Sequence, residues 1–169
     1  MALVLALAWT CSSTGAIALS SPIPYQTLPG GGKLPLLIMG DGVNWGRGTN
    51  WTQWIDLVGA GAGIDSAWDY GSEQAIPPAI AKSKFLREDI FITSKIPCDH
   101  WDGGVEPMNR TQAEWYIARV LAELNTSYVD LMLLHHICAT PAETIEVWKA
   151  LEGMKQRGQA RAIGVSNFE

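Results

Sequence analysis

From Lys33 onward the chain alternates short apolar runs with longer stretches in which apolar residues recur every three or four positions, and Gly, Pro and Asp mark the changes. The short runs predict strands at 34–39, 63–65, 90–95, 129–134 and 162–166. The longer stretches predict helices at 51–60, 74–82, 111–124 and 142–157. The last two helices are the most periodic. Trp115, Ala118, Leu121 and Ala122 share one face, as do Ile145, Trp148, Leu151 and Met154, so each helix is expected to bury that face, with Trp115 and Trp148 in the core. Pro77 and Pro78 fall near the start of the second helix, where proline is tolerated only in the first turn, so that helix is expected to begin late. Gly158 is placed to close the last helix in a left-handed conformation, and the Arg-Ala-Ile-Gly-Val-Ser run after it has a buried-strand pattern. Ahead of all this, 25–28 and 34–38 flank Pro29-Gly-Gly-Gly as a hairpin whose first arm could cap the floor of a barrel.

Strands separated by helices imply a parallel sheet, either doubly wound or closed as a (β/α)8 barrel. Only five strands are predicted, whereas eight units usually take about 250 residues, so a barrel read from this sequence is incomplete, a fragment or a misjudged gene end. A chain of 169 residues, 47% hydrophobic, is sufficient for one core. Residues 21–169 are read as that domain.

The net charge of −5 comes with no basic block, which argues against nucleic acid or an anionic membrane surface as partner. The apolar run 2–9, followed by Ala16-Ile17-Ala18, has features of a signal peptide, yet no Lys or Arg precedes it and it is far short of the roughly 20 residues of a membrane span. Residues 1–20 are therefore either a targeting peptide, implying a secretory or organellar protein, or an unstructured start. Asn50-Trp-Thr, Asn109-Arg-Thr and Asn125-Thr-Ser are glycosylation triplets that would be read only in the secretory pathway. Cys11, Cys98 and Cys138 are odd in number and lack metal-ligand spacing, and are read as free thiols.

The predicted strand ends carry the chemistry. Asp65 ends the second strand, Lys95 the third, His135 the fourth, and Ser166 with Asn167 the fifth. In parallel α/β folds the C-terminal strand ends form the active face. Singly, each residue has a structural reading: an Asp can cap a helix, a Lys can reach solvent, a His can fill a core. Four successive strands ending in ionisable or amide groups are harder to explain as packing. Asp130, at the start of its strand, belongs to the opposite rim and a structural role. Gly59-Ala-Gly-Ala-Gly follows a helical stretch and does not open one, and Gly30-Gly-Gly-Lys33 lacks P-loop spacing, so neither is a phosphate loop.

The text around these residues is specific. Ile64-Asp-Ser-Ala-Trp-Asp-Tyr-Gly-Ser-Glu73 resembles the aldo-keto reductase signature in which Asp-Thr/Ser-Ala is followed by Tyr-Gly and Glu. Ile92-Thr-Ser-Lys95 is similar to that family's lysine strand, Val129-Asp-Leu-Met-Leu-Leu-His135 to its histidine strand, and Gly164-Val-Ser-Asn-Phe168 to the segment that holds the nicotinamide amide. The resemblance spans about 30–169. It implies a TIM-type barrel and an oxidoreductase that uses NADPH (NADP+) to reduce aldehyde or ketone groups.

The resemblance also assigns roles. Tyr70 would be the general acid; Lys95, cationic and close, would stabilise the phenolate, and Asp65 would orient the ammonium. His135 would hydrogen-bond the substrate carbonyl or share the tyrosine's proton, while Ser166 and Asn167, with Asp65, would contact the cofactor. From their place in the loops after successive strands, and not from the resemblance, Trp45, Trp68 and Trp101 could line a substrate pocket, with core packing or a surface staple an equally good reading for each. His136 is a pocket-wall candidate whose side chain alternation should turn away from that of His135. Asp41 stands where the family often has a small hydroxyl residue near the nicotinamide. An incomplete barrel would leave an uncovered edge open to self-association. By family resemblance the protein would be cytoplasmic. The competing readings are a catalytically inactive truncated barrel that serves as a binding module, and an unrelated α/β enzyme whose strand ends mimic this set.

Overall fold

The computed structural model describes residues 22–29, 32–42, 48–98 and 107–168. Trp45, Trp101 and Cys11 lie outside the described residues. The fold opens with a hairpin, β1 (Tyr25–Thr27) and β2 (Lys33–Pro35), paired antiparallel. The sheet proper is β3 (Ile38–Gly40), β4 (Gly63–Asp65), β5 (Phe91–Ile96), β6 (Val129–Leu134) and β7 (Ala160–Val165). These five run parallel in the order β3-β4-β5-β6-β7. Spatial order that follows chain order without reversal distinguishes a barrel from a doubly wound sheet, where the order reverses at a switch point. The structure is an arc of five of the eight strands of a TIM-type barrel.

The run 34–39 forms two elements, not one strand. The backbone N–H of Leu36 donates to the Pro24 carbonyl at 2.8 Å, which keeps β2 in the hairpin, and the chain reaches the sheet only at Ile38. The hairpin lies under the N-terminal rim: Tyr25 and Lys33 line a cleft with Phe91, Asp130 and Arg161. Asp130 is structural, accepting from Arg87 at 2.9 Å, the Ile92 N–H at 3.0 Å and Arg161 at 3.1 Å. At Gly63 only glycine fits, because a Cβ would stand 2.7 Å from a side-chain carbon of Ile38 and 2.9 Å from the Leu37 carbonyl.

Between the strands lie α1 (Trp51–Val58), α2 (Ile76–Lys82), α3 (Arg110–Glu123) and α4 (Pro141–Gln156). Side chains specify three of the starts. Asn50 accepts from the Gln53 N–H, and Asn109 with Gln112 and Thr140 with Glu143 form reciprocal capping boxes. The second helix does begin late: a single 3-10 turn, Glu73–Ala75, precedes α2, and the prolines occupy its first turn.

The buried face of α3 differs from the expected one. Ala113, Ile117, Val120 and Leu121 face the core, while Trp115 is 53% exposed, so Trp115 is not a core residue. Two apolar stripes compete on this helix, and the one that carries the branched aliphatic side chains Ile117 and Val120 is buried. Trp115 instead packs edge-on against Trp68 and Tyr116. On α4, Val147, Ala150, Leu151 and Met154 are buried, Trp148 is partly buried and Ile145 is exposed. Together with Ile64, Ile92, Ile96, Met132 and Leu134 from the strands, these side chains make one continuous core.

The thiol expectation is corrected as well: Cys98 and Cys138 are joined in a disulfide, with Cα atoms 4.9 Å apart. Ile96 and Leu134 are register partners at the ends of β5 and β6, so the segments that follow them emerge side by side. Topology pairs two cysteines that 40 positions of sequence separate. Among the described residues no helix is long and apolar enough to cross a membrane.

Candidate functional site

The sheet's C-terminal ends bring together four of the residues that the sequence singles out. Lys95, next to last in β5, is buried, and its Nζ donates to Asp65 Oδ2 at 2.9 Å and to the Ser66 carbonyl at 3.0 Å. The same ammonium reaches Tyr70 Oη at 3.5 Å. Asp65 closes β4, directly beside β5, so the ion pair spans neighbouring strands. Tyr70 sits on a 3-10 turn, Trp68–Tyr70, that Gly71 ends in a left-handed conformation at φ 63°. That turn swings the phenol back over the strand ends.

His135 follows β6 and is buried. Its ring meets that of Tyr70 edge-on at 5.6 Å between centroids. Its Nδ1 lies 2.8 Å from Asp69 Oδ2, so Nδ1–H is donated to the carboxylate and Nε2 is the nitrogen left to face a ligand. Asp69 was not among the residues expected from the sequence. A 3-10 turn fans consecutive side chains apart, so Asp69 and Tyr70 both address His135, and no sequence periodicity announces that. The ring of His136 does not turn away: it stacks on that of His135 at 4.3 Å. Strand alternation has already ended at Leu134, which removes the basis of the opposite expectation.

Asn167 adopts a left-handed φ of 54°, unusual for a residue other than glycine but tolerated by asparagine. Its Nδ2 donates to the His135 carbonyl at 2.8 Å and to Ser166 Oγ at 3.1 Å. The amide is thereby fixed, with its carbonyl oxygen left as an acceptor next to the Ser166 hydroxyl. A donor and an acceptor side by side suit a carboxamide, so these two residues fit a nicotinamide amide.

Behind this rim lies a buried polar layer that the sequence did not reveal. Ser72 donates to Asp41 Oδ2, and the hydroxyls of Ser66 and Ser72 are 3.3 Å apart. Ser94 donates to Glu73 Oε1. Asp41 Oδ1 and Glu73 Oε2 are buried without a hydrogen-bond partner among the described residues. Burial pushes the Asp41 carboxyl above its ordinary range, with the Ser72 hydrogen bond opposing, and pushes Glu73 up to about 8, with Ser94 opposing. Asp41 thus points inward to Ser72. Trp68, for which the sequence left a substrate pocket and core packing both open, is partly buried against the core and in contact with Trp115 and Tyr116.

A model of the Aldo/keto reductase family matches residues 59–169. An uncharacterized oxidoreductase of Schizosaccharomyces pombe is 31% identical over 165 residues, covering 85% of this chain and 48% of its own. The NAD(P)H-dependent D-xylose reductase I,II of Candida tropicalis is 32% identical over 133 residues, covering 62% of this chain and 39% of its own. Of solved structures, an aldo/keto reductase from Brucella melitensis superposes with a TM-score of 0.70 at 28% identity, over 87% of this chain and 55% of that one. A Bombyx mori aldo-keto reductase in complex with NADP gives 0.66 at 27%, over 88% and 52%. The chain spans about half the length of the curated relatives it matches.

Proposed function

The chain belongs to the aldo-keto reductase family of oxidoreductases, and from that premise we propose that it reduces aldehyde or ketone groups to alcohols with NADPH, Tyr70 acting as general acid. The observation that carries the reading is the run of contacts from Asp65 through Lys95 to Tyr70 at the sheet's C-terminal ends. The complex of the Bombyx mori relative with NADP supports the choice of cofactor.

NADPH, when bound, supplies the hydride that reaches the carbonyl carbon. Ser166 and the Asn167 carbonyl oxygen would hold its carboxamide and so would orient the nicotinamide ring. As negative charge gathers on the substrate oxygen, Tyr70 Oη delivers a proton to it. The phenolate left behind faces the Lys95 ammonium at 3.5 Å. A free phenol is a weak acid near neutrality, so a cation at this distance favours the transfer. Asp65 holds that ammonium in place, and the Ser66 carbonyl takes a second of its three protons. His135, held through Nδ1 by Asp69, has Nε2 left to hydrogen-bond the substrate oxygen.

Titration of the folded protein with NADPH, followed by nicotinamide fluorescence, tests the cofactor half of the proposal. Saturable enhancement is expected. A sample with intact far-ultraviolet circular dichroism that shows none contradicts it.

A further inference from the structure

The disulfide and the glycosylation triplets play no part in carbonyl reduction, yet they agree with each other. Cys98 and Cys138 are both buried and already joined. Bonds of this kind persist in oxidising compartments and are rare where thiol reductants keep cysteines reduced. Asparagine-linked glycans are added in the same kind of compartment. The segment 2–9 with Ala16-Ile17-Ala18 also has the apolar and small-residue composition used by export leaders.

Three of the five asparagines open an Asn-X-Ser/Thr triplet, so the choice among them falls to the structure. Asn50 and Asn109 are engaged as helix caps, their side-chain oxygens accepting from Gln53 and Gln112 at 3.0 Å, and the Thr of each triplet lies inside the helix that follows. Asn125 is different. It is exposed beyond the end of α3 at a left-handed φ of 45°, and its side chain makes no hydrogen bond among the described residues. Thr126 and Ser127 continue outside any helix or strand, and Ser127 is exposed.

We propose that this chain matures in an oxidising, glycosylating compartment, where Cys98 and Cys138 are joined and Asn125 carries an N-linked glycan. In the first step the two thiols give up two protons and two electrons to a disulfide-bearing oxidant, which is reduced to a dithiol. In the second, Asn125 Nδ2 bonds to the anomeric carbon of a lipid-pyrophosphate-linked oligosaccharide. The amide loses one proton, and the bond from that carbon to the pyrophosphate oxygen breaks. Asn125 precedes β6 at its N-terminal end, and six strand residues span roughly 20 Å. The glycan therefore projects from the rim opposite Lys95, Tyr70 and His135 and leaves that site open. The disulfide sits on the site's own rim, three residues beyond Lys95 on one side and three beyond His135 on the other, and ties together the two loops that follow them.

The test uses the full chain isolated from its own cells, with free thiols alkylated at lysis. Peptide mapping without reductant is expected to yield the Cys98–Cys138 cross-linked peptide. Peptide N-glycosidase is expected to convert Asn125 to Asp and to increase gel mobility. Ser127→Ala, which destroys the triplet without touching the left-handed residue, should abolish that shift, and Asn125→Gln should do the same. Alkylated Cys98 and Cys138, or an unmodified Asn125, overturns the proposal. Neither readout depends on reductase activity.

Discussion

A Cβ built on Gly42 would stand 3.0 Å from both Cζ and the hydroxyl oxygen of Tyr70, so the phenol occupies its position because residue 42 has no side chain. The neighbouring Asp41 engages Ser72, two residues beyond Tyr70. One short segment after β3 thus holds the tyrosine turn at two points. Gly42→Ala is expected to displace the hydroxyl and lower kcat by about one to two orders of magnitude, the sensitivity typical of a misplaced reacting group. NADPH affinity should change little. Steady-state kinetics beside a fluorescence titration separates the two effects.

Asp69 is expected to matter through His135. Removing an orienting hydrogen bond to a charged group costs about 1.5–3 kcal/mol, which corresponds to roughly a tenfold to hundredfold loss. Asp69→Ala should therefore reduce kcat/KM for carbonyl substrate by that factor while leaving the thermal midpoint nearly unchanged, because Asp69 is partly exposed. An unaltered kcat/KM would show that the 2.8 Å contact does not orient the imidazole for catalysis.

Glu73 gives the protein a pH-dependent stability. Burial raises its carboxyl in the folded state to about 8 from an ordinary 4.5, so the folded chain keeps a proton that the unfolded chain has lost. Stability from this group is full below the ordinary carboxylate range, falls as pH rises through the interval up to about 8, and is level above it. At about 1.4 kcal/mol per unit, the loss amounts to a few kcal/mol. Glu73→Gln keeps an acceptor for Ser94 and removes the charge. Its thermal midpoint should exceed that of the wild type at pH 8.5 and approach it at pH 4.5, as read by differential scanning calorimetry.

The disulfide closes a loop of about 40 residues, for which the chain-entropy model gives a stabilisation of about 4 kcal/mol. The double variant Cys98→Ser with Cys138→Ser should melt on the order of 10 °C lower than the oxidised wild type. Reductant should lower the wild type's midpoint by a similar amount and leave the double variant's unchanged.

Much of this was legible in the sequence where a residue type and a strand end coincide. The strands 63–65 and 129–134 have the bounds read from their apolar runs, and Asp65, Lys95 and His135 end their strands or nearly so. What escaped depends on geometry that one dimension does not encode. Trp115 is the largest apolar side chain on its helix, yet the stripe of Ala113, Ile117, Val120 and Leu121 is the one that is buried. Cys98 and Cys138 have no diagnostic spacing, and only the register of β5 with β6 brings them together. Asp69 gains its partner through a 3-10 turn, and the carboxyls of Asp41 and Glu73 are buried among serines contributed by three separate segments.

The proton donor is the most direct point of attack. Tyr70→Phe removes one oxygen atom and leaves the ring beside Gly42 and His135. Carbonyl reduction by the variant and the wild type should be compared as NADPH oxidation at 340 nm, with cofactor affinity measured on the same samples. The expected result is loss of turnover by at least about two orders of magnitude, in the range typical of a general acid, with unchanged NADPH binding. Turnover by the variant equal to that of the wild type would contradict the assignment of Tyr70 as the general acid.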